Sequence, residues 1–259
     1  MQPRADLYLD RARADSFGAA ARVYDAHRPH YPTQLIDDLL KQGARAVLDV
    51  GAGTGIASEQ LLGRGANVLA VEPDPRMAEV ARGKGIPIEI GTFESWHPAE
   101  RRFDLVVFGS SFHWVNPDIA LPKVHGLLYS GGRLALMWNR LFPTHPTRSD
   151  LAEIYRDYMD PGSHLVDSSS NGPIDTEHRT DGLIASITAS GFTVEERTYP
   201  RDDHYSTEQW LDLAFTYSNH LVLAADKASE LRARLADRIG PKGVSVGGDT
   251  LLILATPRS

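Results

Sequence analysis

Apolar residues along this chain gather into short, nearly continuous runs, and between the runs they recur every three or four positions. Runs at 46–50, 68–72, 87–90, 104–109 and 133–138 are too short for buried helices and carry little polar alternation, which predicts strands covered on both faces. The stretches at 55–63, 75–83 and 118–128 read as helices. Ahead of the first run, Leu35, Ile36, Leu39 and Leu40 form a helical stripe over Thr33 to Lys41, opened by Pro32 and Thr33 and leading directly into the first strand. Leu183, Ile184 and Ile187 mark a further helix, Phe192 to Thr198 a sixth strand and Thr250 to Thr256 a seventh. Such alternation implies right-handed crossovers, a doubly wound, mostly parallel α/β sheet with helices on both faces, and a ligand site at the C-terminal edge of the strands.

Two segments stand outside that rhythm. Residues 143–180 hold a helical patch (Leu151, Ile154, Tyr155, Tyr158) followed by a polar run from Pro161 to Thr180, which predicts a mobile lid. Residues 206–239 read as two helices, one carrying Trp210, Leu211, Leu213, Ala214 and Phe215 and the other Leu231, Leu235 and Ile239, and predict a small helical cap over the ligand edge. The first fifteen residues are poor in apolar content and predict a frayed extension.

The most informative nine residues are Asp49-Val50-Gly51-Ala52-Gly53-Thr54-Gly55-Ile56-Ala57, at the end of the first strand. Glycines there let the backbone turn sharply and approach a ligand closely, so the ligand is held mostly by main chain. The dinucleotide fingerprint requires Gly-x-Gly-x-x-Gly, but the spacing here is Gly51-x-Gly53-x-Gly55 and Ile56 stands where the third glycine belongs. Asp49 at the strand end repels a pyrophosphate and suits an ammonium group, which favours S-adenosylmethionine over NAD. About twenty residues beyond the glycines, Val68-Leu69-Ala70-Val71-Glu72-Pro73-Asp74-Pro75 reads as a second strand ending in an acid, the spacing at which a carboxylate meets ribose hydroxyls. Asp74 then suits a helix N-cap and Pro75 a first helical position.

Two more segments follow in order: Phe103-Asp104-Leu105-Val106-Val107-Phe108-Gly109-Ser110-Ser111-Phe112-His113-Trp114, and Ser130-Gly131-Gly132-Arg133-Leu134-Ala135-Leu136-Met137-Trp138. Together the four segments resemble the class I (Rossmann-like) S-adenosylmethionine-dependent methyltransferases over residues 16–142, in their small-molecule branch. The resemblance implies a Rossmann-like seven-stranded sheet with an antiparallel last strand plus the helical cap. It divides one domain into a core (33–142, 181–200, 243–259), an N-terminal lid (16–32) and insertions at 143–180 and 201–242. It also implies that Tyr24 and Arg28 of the lid reach the methionine end of the cofactor, Arg28 by pairing with its carboxylate. Cofactor contacts would further come from Asp49, Gly51, Gly53, Gly55, Glu72 with Pro73, the adenine-side residues Thr92, Phe93 and Glu94, and Ser110. The aspartate common after the glycine of that adenine-side segment is missing here.

Methyl transfer from a sulfonium is an in-line displacement on an activated carbon, so positioning and exclusion of water are the main requirements. A base is needed only for an acceptor such as an aliphatic hydroxyl. His113, directly after the fourth strand, is the candidate base, with a loop-capping role as the alternative. Tyr31, Phe112, Trp114, Trp138, Asn139 and Tyr217 are candidates to shape an acceptor site, although aromatic residues at such spacings serve as often in a core.

Composition narrows the partners. The chain has 259 residues, 42% apolar and 24% charged, a net charge of −7 and no cysteine. Disulfides, thiolate metal sites and a cysteine nucleophile are thereby excluded. The absence of a basic stretch argues against nucleic-acid substrates, His27 and His30 make no convincing metal site, and no apolar run approaches the ~20 residues of a membrane span. A cytoplasmic monomer or homodimer acting on a small molecule is expected. The rival readings are an NAD-dependent oxidoreductase and a non-catalytic protein that retains the cofactor pocket.

Overall fold

The computed structural model describes residues 7–10, 16–160, 163, 165–166 and 177–258. Its elements, in chain order, are α1 (Ala21–His27), α2 (Thr33–Leu40), β1 (Ala46–Val50), α3 (Ile56–Leu62), β2 (Asn67–Glu72), α4 (Pro75–Gly83), β3 (Ile88–Ile90), β4 (Phe103–Gly109) and α5 (Pro117–Leu127). Then follow β5 (Leu128–His145), α6 (Arg148–Tyr155), α7 (Glu177–Ala189), β6 (Phe192–Tyr205), α8 (Thr207–Ala214), α9 (Ser218–Leu221), α10 (Ala225–Ile239) and β7 (Val244–Pro257). The seven strands form one sheet in the order β3-β2-β1-β4-β5-β7-β6. β7 runs antiparallel to both of its neighbours and the remaining pairs are parallel.

Successive residues of a strand face opposite sides, and two apolar layers follow from that alternation. Leu48, Val50, Val106, Phe108, Leu134, Leu136, Leu251 and Ile253 pack with α5 and with Ile187 of α7. Val47, Leu105, Val107, Ala135, Met137, Leu252 and Leu254 pack on the other face with Leu35, Ile36 and Leu39 of α2 and Ala57 and Leu61 of α3. At the start of α4 the Asp74 side chain accepts from the N–H groups of Arg76 and Met77, with Pro75 in the first turn, as the sequence predicts.

The last three strands are longer than their apolar runs. β5 continues seven residues past Trp138, β6 runs on through Tyr205, and β7 begins at Val244, paired from Leu134↔Ala255 to His145↔Ser245 with one register shift between Pro143 and His145, and from Phe192↔Pro257 to Tyr205↔Val244. This extension mixes polar residues, prolines and glycines with only a few apolar positions such as Leu141, Val244 and Val246, so hydrophobic patterning gives little strand signal there. Cross-strand pairing holds it, including a two-pronged Arg140–Asp249 ion pair at 2.6 and 2.7 Å. The cap grows out of it: Leu151 and Tyr155 of α6, Trp210, Leu211 and Leu213 of α8, and Leu231, Leu235 and Ile239 of α10 close a third apolar cluster on Val244 and Val246 of β7. The expected divisions at 142/143 and 200/201 therefore fall inside strands. The expected lid over 161–180 lies for most of its length outside the described residues, as does most of the N-terminal extension.

Candidate active site

The turn after β1 brings three backbones close together. A Cβ on Gly51 would stand 2.6 Å from the Cβ of Ser111, whose hydroxyl donates to the Val50 carbonyl at 2.5 Å. Gly53 has φ of +58°, a conformation side chains disfavour, and its N–H donates to Glu72 Oε2 at 2.8 Å. Gly55 faces away from the ligand edge, since a Cβ there would meet Ile86 Cδ1 at 2.3 Å, and it serves the packing of α3 against α4 and β3.

Two carboxylates at the strand ends are nearly sealed from water. Glu72 is 7% exposed and also accepts from the Asp74 N–H through Oε1 at 2.9 Å. Burial pushes its pKa up to about 7 despite those two backbone bonds. Asp49 is 1% exposed, and its Oδ2 accepts from the Ser58 hydroxyl at 2.6 Å. Its other oxygen, Oδ1, is buried with no hydrogen-bond partner among the described residues. Burial raises Asp49 to about 6, with the Ser58 bond acting the other way.

A strap made of α1 and the residues after it crosses the mouth of the site. The Arg28 guanidinium lies between the rings of Tyr24 and Tyr217, 4.7 and 4.0 Å from their centroids, and donates to the Thr216 carbonyl at 3.0 Å. Its Nε is buried without a partner, and no carboxylate pairs with it among the described residues. Lys84 of α4 ties the strap to the core through Asp25 at 2.6 Å, and His27 faces Asp212 of α8 at 3.6 Å. Tyr31 lies 7% exposed under the strap with its hydroxyl 3.4 Å from Ser110 Oγ. Burial holds the Tyr31 phenol well above its ordinary range, so it stays protonated.

These pieces enclose a cleft with an empty volume of about 550 Å³, part of it open to solvent. Of the residues expected from the sequence, Tyr24, Arg28, Tyr31, Asp49, Gly51, Gly53, Ser110, Asn139 and Tyr217 line it. Glu72 stands behind the turn, bonded to Gly53, and Pro73 is exposed beside it. The adenine-side residues lie apart from the cleft. Thr92 bonds Ser95, Glu94 accepts from the Asn116 N–H at 2.9 Å, and Phe93 is buried in the core, stacked on Trp96 and edge-on to Phe108. Phe112 is buried against Phe108, and Trp138 packs on the same core. His113 is exposed, its ring 4.9 Å from that of Trp114, which meets Phe17 edge-on.

Pro29, Gly109 and, from the glycine segment, Ala52, Ile56 and Ala57 also line the cleft, although none of them was proposed as a contact. Ser58 was legible in principle, because the first turn of a helix that follows the glycine turn must face back toward the strand end. No cluster of His, Asp and Glu that could hold a metal occurs among the described residues, and no helix among them is long and apolar enough to cross a membrane.

Residues 48–136 match the methyltransferase domain family. An uncharacterized methyltransferase of Mycobacterium tuberculosis is 43% identical over 127 residues, 48% of this chain and 52% of the relative, so that the chain spans about half the length of this curated relative. A candidate type II methyltransferase from Anaeromyxobacter dehalogenans superposes with a TM-score of 0.59 at 19% identity, over 89% of this chain and 97% of that one. A SAM-dependent methyltransferase from Thiobacillus denitrificans, solved in complex with S-adenosyl-L-homocysteine, superposes with a TM-score of 0.51 at 15% identity, over 91% and 96% of the two chains. The glycine turn, the buried strand-end acids and the strand order stand within or beside the stretch, residues 48–136, that matches the methyltransferase domain family.

Proposed function

We propose that the chain moves a methyl group from S-adenosylmethionine to an oxygen, or a nitrogen, of a small-molecule acceptor. The observation that carries this reading is a pair of unmet charges in one cleft: Arg28, clamped between two rings with a buried idle Nε, and Asp49, with a buried idle Oδ1. Buried polar atoms of this kind are costly unless a ligand meets them. A carboxylate for Arg28 and an ammonium for Asp49 are the two ends of a free amino acid, which the methionine part of the cofactor provides. Glu72 is held where it can accept from ribose hydroxyls, and the backbone of Gly51 and Gly53 leaves room for the adenosyl group. The bound sulfonium supplies an already activated methyl carbon. What the chain adds is orientation, exclusion of water beneath the strap and cap, and, for a hydroxyl acceptor, a candidate base in the exposed His113.

Asp49 at the strand end and Ile56 in place of the third fingerprint glycine weigh against a pyrophosphate and so against the NAD reading. Calorimetry with S-adenosylhomocysteine and with NADH separates the two: binding of the first and not the second is expected, and the reverse overturns the proposal. Incubation with isotopically labelled cofactor and a metabolite extract is expected to yield a methyl-sized mass gain on a small molecule. Transfer to no small molecule, with a partner protein co-purifying, favours the non-catalytic reading instead. His113→Ala is expected to lower turnover and leave cofactor affinity unchanged; unaltered turnover returns His113 to loop capping.

A further inference from the structure

Asn139 lines the cleft, yet both ends of its amide are already engaged. Its Nδ2 donates to the Pro29 carbonyl of the strap at 3.1 Å, and its Oδ1 accepts from the Thr250 hydroxyl at 2.6 Å. Thr250 is fully buried and stands directly opposite Asn139 in the β5–β7 ladder. On its other side it faces Tyr199 of β6. A terminal amide can flip, exchanging donor for acceptor, and a flipped Asn139 would turn its oxygen toward the Pro29 carbonyl. The Pro29 carbonyl, which can only accept, sets the orientation of the amide, and the Thr250 hydroxyl donates to the Oδ1 that this orientation turns toward it and so anchors the Asn139 side chain on the sheet.

We infer that Thr250 is a positioning residue for the cofactor-binding strap: through Asn139 it fastens the Pro29 carbonyl, and thereby the neighbouring Arg28, to the sheet extension. Arg28 is otherwise held from the cap side, by the Thr216 carbonyl and the Tyr217 ring. The second fastening comes from the opposite side of the cleft and sets the reach of the guanidinium. Asn139 thus acts on the strap, not primarily on an acceptor. The inference rests on the methyl-transfer reading only for its ligand-binding arm.

Thr250→Val keeps the shape and the buried methyl and removes the hydroxyl, whereas Thr250→Ser keeps the hydroxyl and removes the methyl. Hydrogen exchange of the Arg28 and Tyr31 amides, measured without ligand, is expected to accelerate roughly threefold to tenfold in Thr250→Val, the loss of one ordinary hydrogen bond, and to stay as in the parent in Thr250→Ser. S-adenosylhomocysteine affinity is expected to fall over the same range in Thr250→Val alone. Asn139→Asp, which can still accept from Thr250 but cannot donate to Pro29, is expected to reproduce the Thr250→Val exchange pattern. The reverse ranking, with Thr250→Ser impaired and Thr250→Val normal, assigns Thr250 to packing and overturns the inference. Unchanged strap exchange in both Thr250→Val and Asn139→Asp also overturns it. A parent chain that binds no S-adenosylhomocysteine defeats the proposed function, and the exchange measurements then still decide whether the fastening exists.

Discussion

The half of the sheet built from β1, β2 and β4 and the half formed by the extended β5, β6 and β7 hold their parts of the cleft by opposite means. In the first, side chains such as Leu48, Val106 and Phe108 are fully or almost fully buried, and Gly51 and Gly53 line the cleft. In the second, the polar-rich ends of the strands carry a cap seated on Val244 and Val246 and a strap secured by ion pairs, ring stacking and single hydrogen bonds. Close-packed apolar surfaces resist displacement from any direction, while polar fastenings on an exposed ladder hold one geometry and release at small cost. A fixed floor and a releasable roof suit the proposed methyl transfer, in which two molecules would enter and leave in each cycle.

The widest separation between the halves is expected from core deletion. Phe108→Ala removes a fully buried ring in edge contact with Phe93 and Phe112 and should cost about 3–5 kcal/mol, read as a fall in the denaturant midpoint of the whole chain. Leu211→Ala, equally buried but in the cap cluster, should accelerate exchange across α8 and α10 and leave β1 and β4 protected. Uniform loss of protection would show that the halves are one cooperative unit and would end the contrast.

Gly53→Val, in a left-handed turn, should reduce S-adenosylhomocysteine affinity more than a hundredfold, about 2.7 kcal/mol, since it strains the backbone and places two methyl groups at the cleft.

Acidity sharpens the comparison further. Asp49 and Glu72 are raised by burial from 3.8 to about 6 and from 4.5 to about 7, so the folded chain holds their protons more tightly than the unfolded one. Their contribution to stability is complete below about pH 4 and is lost as pH rises through about 7, on the order of 1–3 kcal/mol per group. Asp49→Asn should flatten its share of that slope in ligand-free melts. Cofactor affinity should run the other way and strengthen from pH 5.5 to 7.5, because an ammonium needs Asp49 ionised; a flat profile removes Asp49 from that role. The smallest effect is expected on the roof: Asp25→Asn leaves Lys84 with Glu59 and should cost about 0.2–1 kcal/mol in thermal unfolding.

The floor was legible in the sequence because each of its features depends on local chemistry. The glycine turn needs its glycines, the helix after Glu72 needs Asp74 and Pro75, and strands covered on both faces need unbroken apolar runs. The roof was legible only in part. Tyr24, Arg28 and Tyr217 were indicated, but the strand continuations through Arg140 and Asp249 carry no alternation, because their stability comes from pairing partners a hundred residues away. The adenine-side segment illustrates the same limit. Phe93 has the right neighbours for a ligand contact and the right size for a core, and only packing against Trp96 and Phe108 reveals the second. Thr250 left no trace at all, since its significance depends on facing Asn139.

β7 is made after β6 yet lies between β6 and β5. Until Val244 to Pro257 has left the ribosome, β6 has no neighbour to pair with, the ladder beneath the cap is missing its middle rung, and Asn139 has no hydroxyl to anchor it. The glycine turn draws its pairing from β1, β2 and β4, all made before β6, whereas the roof over it waits for Val244 to Pro257.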